Sequence, residues 1–203
     1  MERDTTRRSL LAGAGAGAVA LLAACGGDAK PRPAEAERGG RTRAPADLEI
    51  LAYALTLEYF ESAYYNRLVD ADILSGKDLD LAKVLRDNEA EHVDALEAAL
   101  EPLGGTAPKR PQPDFEKLFS GGTQAVLERT ADIENLGAAA YLGQAARLQD
   151  EDLLSAALSI HAIEARHAAV LNRRVGRPFT PDGALAVPMD MDDVLTQVQE
   201  FLL

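Results

Sequence analysis

From Leu48 to Val69 apolar residues recur at spacings of three and four, with neither Pro nor Gly between them. That is the period of a helix with one buried face. The pattern returns over Leu81–Leu100, after a break at Ser75-Gly76-Lys77-Asp78 and before a stop at Gly104-Gly105. It appears twice more, over Thr123–Leu148 and over Asp152–Val175, the latter ended by Gly176 and Pro178. A last stretch, Asp190–Leu203, puts Met191, Val194, Leu195, Val198 and Phe201 on one face behind an Asp190 cap. This predicts a short amphipathic helix packed across the others. Strands are not predicted, because β-branched residues are sparse and strict alternation never persists. The fold class is all-α.

The connections set the topology. Short links between the first and second helices, and between the third and fourth, make each pair antiparallel neighbours. Residues 102–120, with Pro102, Pro108, Pro111 and Pro113, have no period and predict a long irregular crossover. Two helical hairpins joined lengthwise give a four-helix bundle over residues 46–176, followed by a C-terminal extension over 177–203.

Ahead of the bundle, residues 26–45 read GGDAKPRPAEAERGGRTRAP, with nothing apolar and large enough to offset the entropy of ordering. This is a tether. Before it, Arg7 and Arg8 precede an apolar, Gly/Ala-rich run to Ala24, too short to span a bilayer. Gly13, Gly15 and Gly17 alternate within the run, but no strand precedes them, so a dinucleotide-binding turn is rejected. Cys25 is the single cysteine, which rules out an intrachain disulfide, a Cys-x-x-Cys redox pair and a thiolate zinc site. Leu22-Ala23-Ala24-Cys25 resembles the lipobox of bacterial lipoproteins, and the arginine pair resembles a twin-arginine signal. These resemblances imply a signal peptide over 1–24 and lipidation of Cys25. They also imply an exported protein, on the outer face of the cell membrane or periplasmic, that touches the membrane through its lipid anchor only.

Composition narrows the partners. With 203 residues, 47% hydrophobic and 27% charged, the chain can build one compact domain plus tails. A formal charge of -12 argues against nucleic acid, whose phosphates are bound by clustered Lys and Arg.

The chemistry emerges when the two hairpins are superposed. Glu89-Ala90-Glu91-His92 in the second helix matches Glu164-Ala165-Arg166-His167 in the fourth, so two of the three histidines follow a Glu by three residues. Glu58 stands seven before Tyr65 in the first helix, and Glu134 seven before Tyr141 in the third. Glu58 precedes Glu89 by 31 residues and Glu134 precedes Glu164 by 30, the mark of a duplicated unit. Each position lies near the middle of its helix and on its apolar face: Glu58 with Leu51, Leu55, Tyr65 and Leu68; Glu89 and His92 with Leu85, Val93, Leu96 and Leu100. Glu134 shares its face with Leu127, Tyr141, Ala145 and Leu148, and Glu164 and His167 share theirs with Leu153, Ile160, Val170 and Leu171. Four carboxylates in an apolar interior require bound cations or raised pKa values. Two divalent ions would neutralise them, and carboxylate oxygen with imidazole suits iron or manganese better than calcium.

One Glu from each of two helices and a Glu-x-x-His from each of the other two resembles the ligand set of ferritin-like di-iron and di-manganese proteins. Residues 46–176 carry the likeness. The segments LAYALTLEYFESAYY, DNEAEHVDAL, ENLGAAAYLGQA and IEARHAAVL resemble more narrowly the exported ferritin-like domain family that includes desiccation-related proteins. The resemblance implies that Glu58, Glu89, His92, Glu134, Glu164 and His167 hold two Fe or Mn ions, with Glu89 and Glu164 bridging. Tyr65 and Tyr141 would steady the opposite carboxylates. Glu61, whose counterpart in the second half is Gly137, is expected to be solvated or to support the ligands, and His161 to sit at the surface or behind them.

The resemblance implies an oxidoreductase outside the cytoplasm, a ferroxidase or a peroxide scavenger, using dioxygen or peroxide. Self-contained electron delivery is excluded because rubredoxin-type cysteines are absent. A membrane tether also sits badly with a closed storage shell. The alternative is a non-catalytic metal-binding or stress-protective module, and a third reading is a metal-free bundle that binds a partner. The sequence chooses neither the metal nor the electron donor, and leaves homo-oligomerisation open.

Overall fold

The computed structural model describes residues 45–202; residues 1–24, the segment 25–44 and Cys25 with its expected lipid lie outside the described residues. Five helices form in chain order: α1 (Pro45–Asp70), α2 (Gly76–Leu100), α3 (Gly122–Ala145), α4 (Glu151–Arg174) and α5 (Met191–Leu202), with a 3-10 turn at Glu101–Leu103. Among the described residues there is no strand, and no helix is long and apolar enough to cross a membrane.

Polar contacts at the ends fix the topology. The Asp47 carboxylate in the first turn of α1 accepts from the backbone N–H groups of Gln149 and Asp150, each at 3.0 Å, tying the α3–α4 turn to the start of α1. At the opposite end the Thr123 hydroxyl donates to the Ile73 carbonyl at 3.0 Å, and Arg174 pairs with Asp78 through two bonds of 2.6 and 2.7 Å. Thus α1 and α4 run one way and α2 and α3 the other, and the crossover between α2 and α3 travels the bundle's length. Arg110 pins it midway, stacking 4.1 Å over the Tyr59 ring and donating to Glu97 at 2.9 Å.

The helix starts follow local chemistry. Asp150 caps α4 by accepting from the N–H groups of Asp152 and Leu153, with Glu151 and Asp152 in the first turn and Arg173 and Arg174 in the last. Such a cap contributes about 1 kcal/mol, and these charges oppose the helix dipole. Helix α2 begins five residues earlier than the hydrophobic pattern predicts, because the break residues Gly76-Lys77-Asp78 form its first turn. Asp78 is favoured there by the dipole and by Arg174. Helix α3 stops at Ala145, short of the expected Leu148.

Two apolar clusters fill the bundle on either side of its midpoint. One contains Tyr65, Leu68, Leu85, Leu127 and Leu171; the other contains Leu51, Leu55, Leu96, Leu153 and Ile160. Val170, expected on the inward face of α4, is exposed, while Leu171, expected there with it, is buried. The C-terminal extension returns along α3. The Met189 N–H donates to the Ala139 carbonyl at 3.1 Å, and a Cβ at Gly143 would lie 2.0 Å from the Met189 carbonyl oxygen, so the strap docks where only Gly leaves room. Val194 and Val198 of α5 are buried and pack into the first cluster.

Candidate metal centre

Between the two apolar clusters the six predicted side chains converge. Glu58, Glu89, Glu134 and Glu164 are 0% exposed, and His92 and His167 only 8% and 5%. Both imidazoles turn Nδ1 inward. His92 Nδ1 lies 3.1 Å from Glu89 Oε2, 3.1 Å from Glu164 Oε1 and 3.4 Å from Glu58 Oε2. His167 Nδ1 lies 3.1 Å from Glu89 Oε1 and 3.2 Å from Glu134 Oε2. The two rings stack with centroids 6.2 Å apart.

Their donor atoms form two groups, each spanning no more than 4.8 Å: Glu58, Glu89, His92 and Glu164, and Glu89, Glu134, Glu164 and His167. Glu89 and Glu164 belong to both. Buried polar atoms are normally hydrogen-bonded, yet Glu58 Oε2, Glu89 Oε1, Glu134 Oε2, both oxygens of Glu164 and His167 Nδ1 have no hydrogen-bond partner. His167 Nδ1 is close to its carboxylates but not aligned with them as a hydrogen bond requires. Lone pairs that crowd one point without bonding to each other match what a cation needs, so the donor set fits metal ions.

The electrostatics agree. Burial, opposed by the His92 imidazole, lifts the Glu58 carboxyl to about 7. Burial and the neighbouring carboxylates Glu134 and Glu89 hold Glu164 well above the usual range, and burial raises Glu134 also. For Glu89 burial acts upward, but the His167 imidazole close beside it and the hydrogen bond from His92 outweigh it and bring the group to about 2. The rings respond in kind: burial disfavours their charge, but Glu164, Glu58 and Glu89 raise His92 to about 12, and Glu134 and Glu89 raise His167 to about 9. The cluster competes for positive charge, in the form of protons or metal ions.

A surrounding layer holds these groups. The Tyr141 hydroxyl of α3 donates to Glu58 of α1 at 2.5 Å, and the Tyr65 hydroxyl of α1 donates to Glu134 of α3. Asn88 was not foreseen: its side-chain amide lies 3.0 Å from His167 Nε2. It could have been noticed as a polar residue beside Glu89 where the second half has Ile163, but periodicity alone says nothing about it. If His167 ligates through Nδ1, its Nε2 carries the proton and a flipped Asn88 amide accepts it. Glu61 is not solvated; it is 4% exposed. A Cβ at Gly137 would sit 2.9 Å from Glu61 Oε1 and 3.0 Å from Glu164 Oε2, so the duplicated position is Gly because these carboxylates fill the space. Burial first, then Glu164 and Glu58, push the Glu61 carboxyl well up. His161 is half-buried on the outer side, its Nδ1 donating to the Ala138 carbonyl at 3.0 Å.

A family model described as the ferritin-like domain matches residues 46–177. The chain belongs to the ferritin-like domain family. That match spans all four bundle helices and every residue of the centre. No curated protein matches this ferritin-like chain. Among solved structures it is similar to a conserved hypothetical protein from Mycobacterium tuberculosis, with a TM-score of 0.56 and 22% identity over 71% of this chain and 96% of that one. At that identity the likeness speaks to the fold alone.

Proposed function

We propose that this ferritin-like chain is a di-metal carboxylate protein, holding two iron or manganese ions and acting as a ferroxidase or peroxide-scavenging oxidoreductase outside the cytoplasm. The observation that carries it is the sharing of Glu89 and Glu164 between the two donor groups. Two overlapping sites with two common carboxylates suit a pair of bridged ions, and two divalent charges balance four carboxylates. Bound ions of this kind supply electron exchange with dioxygen or peroxide.

The chain's own residues prepare the place. Glu58 with His92, and Glu134 with His167, would complete the two ends. Tyr141 and Tyr65 hold the terminal carboxylates in position and supply proton donors beside them. The apolar clusters above and below limit water, which strengthens every electrostatic interaction in the centre.

The deciding experiment is metal analysis with anomalous scattering at the iron and manganese edges, followed by ferrous-oxidation and peroxide-consumption assays. Two ions and turnover of either substrate are the expected result. Two ions without turnover would favour the stress-protective, non-catalytic reading, and absence of metal binding would overturn both.

Export and anchoring through Cys25 belong to the same proposal, supported by Arg7, Arg8 and the Leu22–Cys25 segment. A Cys25→Ser variant should move from the membrane fraction to the soluble fraction; retention at the membrane would refute the anchor.

A further inference from the structure

One buried carboxylate beside the centre has no place in the two donor groups. Glu61, a turn along α1 from Glu58, is 4% exposed. All four carboxylates of the centre act on it, Glu164 most strongly and then Glu58. Tyrosines hold Glu58 and Glu134, but among the described residues no group hydrogen-bonds to Glu61 or pairs with it. Tyr53 is near enough to feel its charge, yet Tyr53 Oη has no partner, and neither oxygen of Glu164 has one. A carboxylate buried without donor or cation is costly, so this one calls for a positive charge from outside the chain.

The duplicated unit shows where Glu61 stands. In α1 and α3, Glu58 corresponds to Glu134, Tyr65 to Tyr141 and Glu61 to Gly137. Exchanging the halves also exchanges the two donor groups, so the axis relating them passes between the groups. Glu61 reaches its own counterpart: a Cβ at Gly137 would lie 2.9 Å from Glu61 Oε1 and 3.0 Å from Glu164 Oε2. Counterparts that touch lie beside the axis. The Glu61 carboxylate is therefore placed between the two ends of the centre, on the side of α1 and α3, next to a carboxylate that both groups share. One such side chain fits there and two do not, which is why the repeat is broken at Gly137.

We propose that Glu61 is a fifth carboxylate ligand of the metal pair, closing onto the ions from the side of α1 and α3 where the two halves meet. The inference rests on the di-metal reading of the centre and adds a ligand to it. Glu61 stands outside both donor groups, and the flexible stem of a glutamate spans the remaining distance. A carboxylate serving only to support its neighbours would be hydrogen-bonded to them, and Glu61 is not. Its charge also has a use. Four carboxylates balance two divalent ions, and a fifth matches the charge the pair gains when an ion gives up an electron.

The test uses the full-length protein with Mn(II) as the probe, the free ion being counted by electron paramagnetic resonance. Glu61→Gln should weaken binding at least about tenfold, the least that even a residue supporting a ligand contributes. Binding equal to wild type overturns the proposal. In chelator the same variant should melt no lower than wild type, since it removes an unpaired buried charge; a lower melting temperature with unchanged Mn(II) binding would make Glu61 a structural brace and overturn the ligand. Moving the carboxylate across the axis separates ligation from support. Glu61→Gly with Gly137→Glu should bind Mn(II) about tenfold more tightly than Glu61→Gly with Gly137→Ala, in proportion to what a ligand contributes, and no gain overturns the placement on the axis. In manganese-loaded crystals the anomalous peaks should include one at bonding distance from a Glu61 oxygen. A water standing between them overturns direct ligation. Failure of the centre itself would show separately, as a wild-type chain that binds no Mn(II).

Discussion

Tyr141 of α3 reaches across the bundle to donate its hydroxyl proton to Glu58 of α1 at 2.5 Å, and Tyr65 of α1 returns the same contact to Glu134 of α3. Each half of the duplicated unit thus steadies the terminal carboxylate of the other. Burial holds both phenols well above their ordinary pKa, so they act as donors throughout the working range. Replacing Tyr141 by Phe should weaken metal binding about 10–100-fold at the end that contains Glu58. Tyr65→Phe should do the same at the Glu134 end. Calorimetric titration resolves the two sites; equal weakening of both by either variant would contradict the assignment.

Glu89 and Glu164 each belong to both donor groups, whereas Glu58 and Glu134 each belong to one. Glu89→Gln or Glu164→Gln should therefore abolish binding of both ions, while Glu58→Gln or Glu134→Gln should leave close to one equivalent. Metal content per chain, measured after dialysis, distinguishes these outcomes.

Chelation should produce a protein whose stability falls as pH rises. Burial lifts Glu58 from 4.5 to about 7, so the folded chain keeps a proton that the unfolded chain releases, and stability drops across that interval. His92 at about 12 and His167 at about 9 contribute stability that is complete below 6.5 and is lost as pH climbs through those values. Glu89 acts in the other direction: its contribution is present above 4.5 and disappears as pH falls through about 2. Thermal melts in chelator should thus decline by several degrees from pH 5 to pH 8. Metal affinity should rise over the same range, since ligation must displace those protons.

Two glycines of α3 should respond differently to Ala. At Gly143 the added Cβ meets the Met189 backbone, which cannot swing aside, so Gly143→Ala should release the strap and cost about 1–3 kcal/mol. Faster proteolytic cleavage between residues 177 and 190 would report it. At Gly137 the added Cβ meets the ends of Glu61 and Glu164. Gly137→Ala should keep the fold, helped by up to about 1 kcal/mol of helix propensity, yet weaken metal binding by displacing Glu164. In a Glu61→Ala background the same change should weaken binding less, because one of the two obstructing carboxylates is gone.

Much of this was legible in the chain. Apolar spacing predicted four long helices and a fifth short one, and the paired Glu-x-x-His segments, with the repeated Glu–Tyr spacing of Glu58 and Glu134, singled out the six side chains that converge at mid-bundle. Periodicity succeeds there because helix geometry converts a fixed spacing into a fixed face. It failed at Val170, which was assigned to the inward face together with Leu171 although only Leu171 is buried. It failed also at the start of α2, where the charges of Asp78 and Arg174 extend the helix beyond its apolar pattern.

Glu61 and Asn88 belong to another class. Nothing in their spacing says whether such polar residues meet water, a ligand or a neighbouring helix, and each was decided by what another helix placed opposite it. The sequence by itself determined the helices, the inward faces and the set of side chains offered to the interior, because these follow from local backbone geometry. Only the tertiary structure decided that Glu89 and Glu164 are common to both donor groups and that Glu61 fills the space beside Gly137, since contacts across the bundle depend on how separate helices pack.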